Sequence, residues 1–349
     1  MSRRWVRVRR WFGWADGAGR GVRRRARNVV GMMAFVVLGL PVIMALRGEF
    51  AARSLEASWA IRLTSDPAGP PYVPVPGRGT NAAGFHDVER TAVAASGVTR
   101  VVVVGDALTW GLEVPRDATF TRVAEDALRA DGRSIEVLNF GVPGYDIDAA
   151  ARMIRTVVPG WSPDRIVYAF TSDDAHPRVL VHPDALGSVR FVGLVPPAGV
   201  TRPPAWVLAH SAWMRQRLGL AAQAAAVAAK GKNADRAHVA ALEQGVTDVI
   251  SAAGTVPLAV FTLPPAIVAS ADVVRCNDHL HSRYGCAWHT EQLDAATARF
   301  VARGIPVGSG LTALRTLPDD VAGFGDMDPV NVTIAGHAAL GAALAELLR

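Results

Sequence analysis

The chain has 349 residues, half of them apolar, enough for one large α/β domain with a sizeable core. Its net charge of +6 comes from one short arm: residues 1–28 hold ten arginines and one acid, Asp16, so the arm stands at +9 and the remainder at −3. The body is therefore not basic, so the high pI is no evidence for a nucleic-acid-binding domain, and no nucleic acid is expected as a partner.

In the arm, arginine is interleaved with Trp5, Trp11, Phe12 and Trp14. Such a Gly- and Arg-rich segment has no core of its own. It reads as a positive-inside flag, or as a strip on anionic lipid headgroups with Trp5, Trp11 and Trp14 in the interface and Arg23, Arg24 and Arg25 facing phosphate. Val29 to Leu46 then runs without a charge. As a helix it spans about 27 Å, enough for a thin bilayer, and Pro41 is tolerable there. A transmembrane helix over 29–46 is expected. The rival is a cleaved signal peptide; the long basic arm, the length of the run and the lack of a small-x-small site after Leu46 count against it. With the arginines before the helix, the arm should be cytoplasmic and the body extracytoplasmic.

Residues 47–80 read as a helical stalk followed by a Pro- and Gly-rich linker at 67–79. From 81 onward strand and helix alternate. Strands are expected at 101–104, 135–140, 165–170, 257–262 and 305–307. Helices are expected at 119–130, 147–158, 234–253, 290–303 and 333–348. Residues 175–255 form a long insertion with a hairpin near 189–195 and an alanine-rich helical stretch at 218–230. The alternation predicts a parallel sheet with helices on both faces. Arg100 to Leu112 organises it: four consecutive valines make a fully buried strand, and Gly105 and Asp106 turn the chain at its C-terminal end, where open α/β sheets place their chemistry.

Cys276 and Cys286 close a short loop rich in turn residues. In an oxidising compartment they pair as a disulfide. The alternative is a metal, because His279, His281 and His289 crowd the same segment, but the spacing fits no common zinc pattern. No metal and no cofactor is expected.

Gly105-Asp106-Ala107 with the tail Thr109-Trp110-Gly111 resembles the first sequence block of the SGNH (GDSL) hydrolases. Asn139-Phe140-Gly141-Val142-Pro143-Gly144-Tyr145 is similar to the second. Phe170-Thr171-Ser172-Asp173-Asp174 stands where the third would be. Asp328, Asn331 and the pair Gly336-His337 stand where the last would be, and Asn81 to Arg90 is similar to a lead-in found in many bacterial members, with His86 read as a polar surface residue. The resemblance covers 81–349 and implies a three-layer α/β/α sandwich around a parallel five-stranded sheet, flavodoxin-like, on one N-terminal transmembrane helix. It also implies four functional roles, a serine nucleophile, a glycine and an asparagine completing the oxyanion hole, and a histidine base. Here Ala107 replaces the serine, Gly141 aligns with the glycine, Asp173 takes the asparagine's place and Asn331 the histidine's, with Asp328 kept. An alanine has no nucleophile, a carboxylate repels an oxyanion, and asparagine is no base near neutral pH. Thr109 and Ser172 are set aside as substitutes because each would attack from a different place. His337 falls inside the last helix and reads as structural.

The expectation is therefore a catalytically inactive SGNH-fold protein of a bacterial inner membrane, serving as a scaffold subunit of an envelope or energy-transducing membrane complex. The transmembrane helix, the arm and insertion 175–255 would contact the partner, with Trp206 and Trp213 as anchors. The alternatives are a glycan- or acyl-binding module, its cleft lined by Asp106, Trp110, Gly141 and Tyr145, or an esterase or O-acetyl transferase on envelope polysaccharide with a displaced active site. Asp106, Asp173 and Asp328 should converge at the strand ends, at least one with its proton affinity raised or a cation beside it.

Overall fold

The computed structural model describes residues 61–174 apart from Ser65, Pro67, Arg78 and Glu113, then 179–183, 189–193, a few residues between 207 and 218, and 234–270, 285–318 and 331–349, together with Leu46 and Arg47. The basic arm, nearly all of the apolar run 29–46, the alanine-rich stretch beyond Leu218, Trp206, Cys276 and Asp328 lie outside these residues. Among the described residues no helix is long and apolar enough to cross a membrane.

A parallel five-stranded sheet forms the centre, in the order β4-β3-β5-β8-β9. Its strands are β3 (Thr99–Gly105), β4 (Ile135–Gly141), β5 (Arg165–Thr171), β8 (Leu258–Leu263) and β9 (Val307–Ser309). The connecting helices are α1 (Ala107–Trp110), α2 (Phe120–Ala130), α3 (Ile147–Thr156), α4 (Ala234–Ala253), α5 (Gly285–Val301), α6 (Gly310–Leu314) and α7 (Ile334–Leu348). The expected five strands are thus present within one or two residues, and α5 starts five residues earlier than its apolar spacing suggested. In β3 the valines alternate between two cores. Val102 and Val104 pack with Leu138, Tyr168, Phe170, Met153, Val246 and Phe300; Val101 and Val103 pack with Phe120, Leu128, Phe261, Leu340 and Leu344. A strand apolar on both sides is what a sheet covered by helices on both faces requires.

β3 pairs with β4 on one side and β5 on the other, Val103 lying opposite both Asn139 and Val167. The chain goes first to one neighbour and then crosses to the other, so the crossover direction reverses between β3 and β5. Loops leaving the C-terminal ends of such strands diverge and leave a crevice.

β4 is one of the two edge strands, and its outward N–H groups are covered by side chains. Val137 donates to Glu125 Oε2 at 2.7 Å, Asn139 to Asp87 Oδ2 at 3.2 Å, and Gly141 to Asn139 Oδ1 at 2.9 Å. This removes the pairing template that a bare edge presents. Arg90 ties two of these acceptors together, bonding Asp87 and Glu125, both nearly fully buried. Phe85 stacks on Phe140 with ring centroids 3.9 Å apart. The lead-in at 81–90 is thereby a strap along the sheet edge.

The stalk-and-linker expectation for 47–80 is corrected in its second half. Ile61–Leu63 (β1) and Tyr72–Pro74 (β2) form an antiparallel ribbon. Tyr72, buried, donates its hydroxyl to Pro143 O at 2.9 Å and meets Tyr145 edge-on at 5.2 Å. The Pro and Gly content marked turns; the tyrosine pins them to the loop after β4. In the insertion the expected hairpin is an antiparallel pair, β6 (Val179–Pro183) with β7 (Val189–Gly193). Trp213 is half-buried, with the Arg217 guanidinium 5.6 Å from its ring centroid.

His337 lies within α7, 1 % exposed, and its Nδ1 accepts from the Phe120 N–H at 3.1 Å. Burial, with a smaller push from His86, lowers its pKa to about 4. The fold therefore holds a neutral ring that the unfolded chain protonates near its ordinary 6.5. That stability is intact above pH 6.5 and is lost as pH falls through about 4, on the order of 3 kcal/mol for this group. Urea midpoints measured from pH 7 to pH 4 are expected to fall, and His337→Gln to flatten that decline.

Candidate active site at the strand ends

The crevice is bounded by three chain turns. After β3, Asp106 caps α1, its carboxylate accepting from the Leu108 N–H at 2.9 Å. After β4, Asn139 clamps the loop: Oδ1 takes the Gly141 N–H and Nδ2 donates to Thr109 O at 2.8 Å. A Cβ on Gly141 would lie 2.2 Å from the Trp110 N, so the position has no room for a side chain. Gly141, which aligns with the family's oxyanion glycine, has its N–H bonded to Asn139 Oδ1, and close packing accounts for the glycine. After β5, the segment Thr171–Asp174 turns into the crevice.

Ala107 opens α1, and Asn331 lies before α7. Asp106 and Asp173 converge as expected, but their third member is Asp174; Asp328 lies outside the described residues. Ligand oxygens of the three lie within 4.8 Å of one another. Among the described residues this is the group whose spacing would admit a cation, a clustering common among acids without one. The Thr171 hydroxyl is its hub, 2.7 Å from Asp174 Oδ1, 3.0 Å from Asp173 Oδ1 and 3.4 Å from Asp106 Oδ2. Asp174 Oδ2 accepts from the Tyr168 hydroxyl at 2.8 Å and the Thr171 N–H at 2.9 Å. Burial, then the charges of Asp106 and Asp173, push Asp174 well above the carboxylate range.

Because that pKa is raised, Asp174 stabilises the fold most below about pH 4, where the unfolded chain is protonated too, and the contribution is lost as pH rises through the folded value. Asp174→Asn keeps an acceptor for Tyr168 and Thr171 and cannot ionise. Urea midpoints at pH 5 and pH 8 should therefore differ less in this variant than in the parent chain.

Ser172 is buried and its Oγ lies 2.6 Å from Nδ1 of His289, on α5. The two are 117 residues apart. Burial lowers the His289 pKa, against an opposing pull from the Asp173 charge, so the ring is neutral at neutral pH and can accept a proton. Among the described residues its buried Nε2 has no hydrogen-bond partner. In the sequence His289 stands out only beside Cys276, His279, His281 and Cys286, as a member of a possible metal cluster. His289 and Cys286 sit one turn apart on α5, and both are buried.

The remaining expected cleft residues divide. Trp110 is half-buried, with His86 stacked on it at 5.4 Å and bonded through Nδ1 to its carbonyl at 2.8 Å. His86 is thus a packed residue, not a surface one. Tyr145 is 1 % exposed and donates its hydroxyl to Tyr72 O, so it supports the loop from behind and does not line the opening.

By sequence, no protein family and no curated protein matches the chain. By structure, it is similar to the lipase/acylhydrolase from Enterococcus faecalis, at 17 % identity and TM-score 0.44 over 71 % of this chain and 94 % of that one. It is also similar to the psychrotrophic esterase EstA from Pseudoalteromonas sp., at 8 % identity and TM-score 0.41 over 72 % and 96 %. A third is the acetyl xylan esterase AlAXEase, at 13 % identity and TM-score 0.41 over 70 % and 97 %.

The likeness is one of fold, an α/β fold around five parallel strands.

The expectation that this chain is catalytically inactive is corrected: the strand ends hold a hydrogen-bonded serine and histidine, Ser172 and His289.

Proposed function

We propose that this chain is an acyl-ester hydrolase or acetyl transferase whose nucleophile and base are Ser172 and His289, displaced from the positions that the family motif marks. The observation that carries it is the 2.6 Å contact between Ser172 Oγ and His289 Nδ1 at the mouth of β5. Serine is a weak nucleophile until an adjacent base takes its proton. Ser172 Oγ attacks the acyl carbonyl while His289 Nδ1 takes the hydroxyl proton. The C–O bond to the leaving alcohol breaks, and the alkoxide receives that proton from His289. Water, or an acceptor hydroxyl in a transferase, then attacks the acyl-serine by the same route in reverse. Asp106 and Asp174 are not placed to attack: one caps a helix and the other is fixed by Tyr168 and Thr171.

The setting proposed for this chemistry is extracytoplasmic. The uncharged run 29–46 behind an arginine-rich arm supports a single-pass anchor in the inner membrane, and Cys276 and Cys286 would then pair. The anchor, the arm with Trp5, Trp11, Trp14 and Arg23 to Arg25, and the insertion 175–255 are the surfaces offered to lipid and to membrane partners. An acylated envelope polysaccharide is the substrate that suits such a site.

The purified full-length protein in detergent is tested on p-nitrophenyl acetate and on acetylated polysaccharide. Turnover above buffer that disappears in His289→Gln supports the reading. Turnover absent on both, with the protein folded, overturns it.

A further inference from the structure

Ser172 sits on a turn whose shape is set by a residue that the reaction above does not use. We propose that Asp174, held from behind by the Tyr168 hydroxyl, is the positioning residue that keeps Ser172 Oγ against His289. This rests on the hydrolase reading and extends it to how the nucleophile is set.

β5 ends at Thr171, and the Asp174 N–H bonds back to Thr171 O at 3.1 Å, which closes a β-turn with Ser172 at its first corner. The Asp174 side chain closes the same turn a second time. Its Oδ2 accepts from the Thr171 N–H at 2.9 Å, so residues 171 and 174 are joined through both backbone and side chain. The same Oδ2 accepts from the Tyr168 hydroxyl at 2.8 Å. Tyr168 lies on β5 itself, fully buried, its ring in T-shaped contact with Phe170 and Phe300. The turn is thereby referred to the packed centre of the sheet. On its other side the Asp174 carbonyl accepts from the Ile147 N–H at 3.0 Å, which fastens the turn to the start of α3.

These bonds do not depend on the charge of Asp174. Both side-chain donors land on Oδ2, so Oδ1, 2.7 Å from the Thr171 hydroxyl, is free to carry a proton or not. Burial pushes the Tyr168 pKa well above its ordinary value, so its hydroxyl remains a donor at neutral pH. The hydrogen-bond partners of Asp174 are the turn's own first residue, the strand leading into it and the helix beside it. What they jointly hold is the corner that carries Ser172. Ser172 Oγ stands 2.6 Å from His289 Nδ1. A relaxation of the turn by about 1 Å takes that pair out of hydrogen-bond reach, and a misplacement of that size costs about 10²-fold in rate.

The test follows kcat, KM and the rate of fluorophosphonate labelling of Ser172 in the full-length protein, with circular dichroism and a thermal melt to confirm folding. Tyr168→Phe removes one donor and keeps the ring in the core. It is expected to lower kcat by about 10- to 100-fold with KM little changed, and to slow labelling by a similar factor. Asp174→Ala loses both Oδ2 bonds and should lower kcat further. Asp174→Asn keeps an acceptor for both donors and should recover most of that loss. If Asp174→Ala does not fold, Tyr168→Phe decides. A folded Tyr168→Phe with kcat and labelling within about threefold of the parent, while Ser172→Ala abolishes turnover, overturns this inference and leaves the hydrolase reading standing. A folded Asp174→Asn as slow as a folded Asp174→Ala overturns it as well. A parent protein without turnover, or turnover that survives Ser172→Ala, removes the hydrolase reading and this one with it.

Discussion

Ser172→Ala is expected to lower kcat for ester cleavage by about 10⁶-fold, the loss seen when a serine hydrolase is deprived of its nucleophile. That corresponds to about 8 kcal/mol of transition-state stabilisation at about 1.4 kcal/mol per tenfold. The rival account of the 2.6 Å contact is structural, a buried hydroxyl satisfying a buried ring. Such a role is worth far less: leaving one buried group unsatisfied costs on the order of 1–3 kcal/mol of stability. The two accounts therefore separate by measurement of rate and of melting temperature on the same variant. A nucleophile shows a collapsed rate on a protein that still melts cooperatively. A structural pair shows a lower melting temperature with no specific loss of rate. His289→Gln gives a second reading, because glutamine keeps a hydrogen bond to Ser172 but cannot serve as a base.

The second large effect concerns the fold. Arg100 is fully buried at the start of β3 and ion-paired with Glu136 on the neighbouring strand. Its guanidinium also bonds the carbonyls of Thr91 and Ala92, just after the strap, and of Trp161 before β5, at 2.8–3.0 Å. One side chain thus joins the segment after the edge strap, two strands and the turn into a third. Arg100→Ala leaves Glu136 without this partner and three carbonyls facing a void. A loss of about 3–5 kcal/mol is expected, as for breaking other buried ion pairs. For a domain this size that lowers the melting temperature by about 10 °C. Arg100→Lys keeps the charge but cannot span the four acceptors, so it should recover only a minor part. Thermal unfolding of the three proteins followed by circular dichroism checks both statements.

The sheet was legible because its signal is local. Val101 to Val104 are apolar without alternation, as a strand buried on both faces must be, and Gly105 and Asp106 mark its end. The same holds for the helix at 234–253 and for the last helix, whose Thr333 cap accepts from the Gly336 N–H. Motif spacing also placed Asp106 and Asp173 together correctly. What the sequence concealed depended on long-range contact. Tyr72 turns an apparent linker into a pinned ribbon only because Pro143 and Tyr145 stand opposite it. Gly141 looked like an oxyanion donor, and only the packed Asn139 side chain shows that its N–H is engaged. The Ser172–His289 pair had no local signature at all. A serine after a strand and a histidine on a distant helix are ordinary residues until the crossover between β5 and α5 sets them side by side.

The most direct test of the central claim is covalent. The full-length protein is treated with a fluorophosphonate, which reacts with an activated serine hydroxyl, then digested and mapped by mass spectrometry. The account predicts one stoichiometric adduct, on the peptide bearing Ser172, that is lost in His289→Gln. A folded protein that takes no adduct, or takes it on another serine, would contradict it.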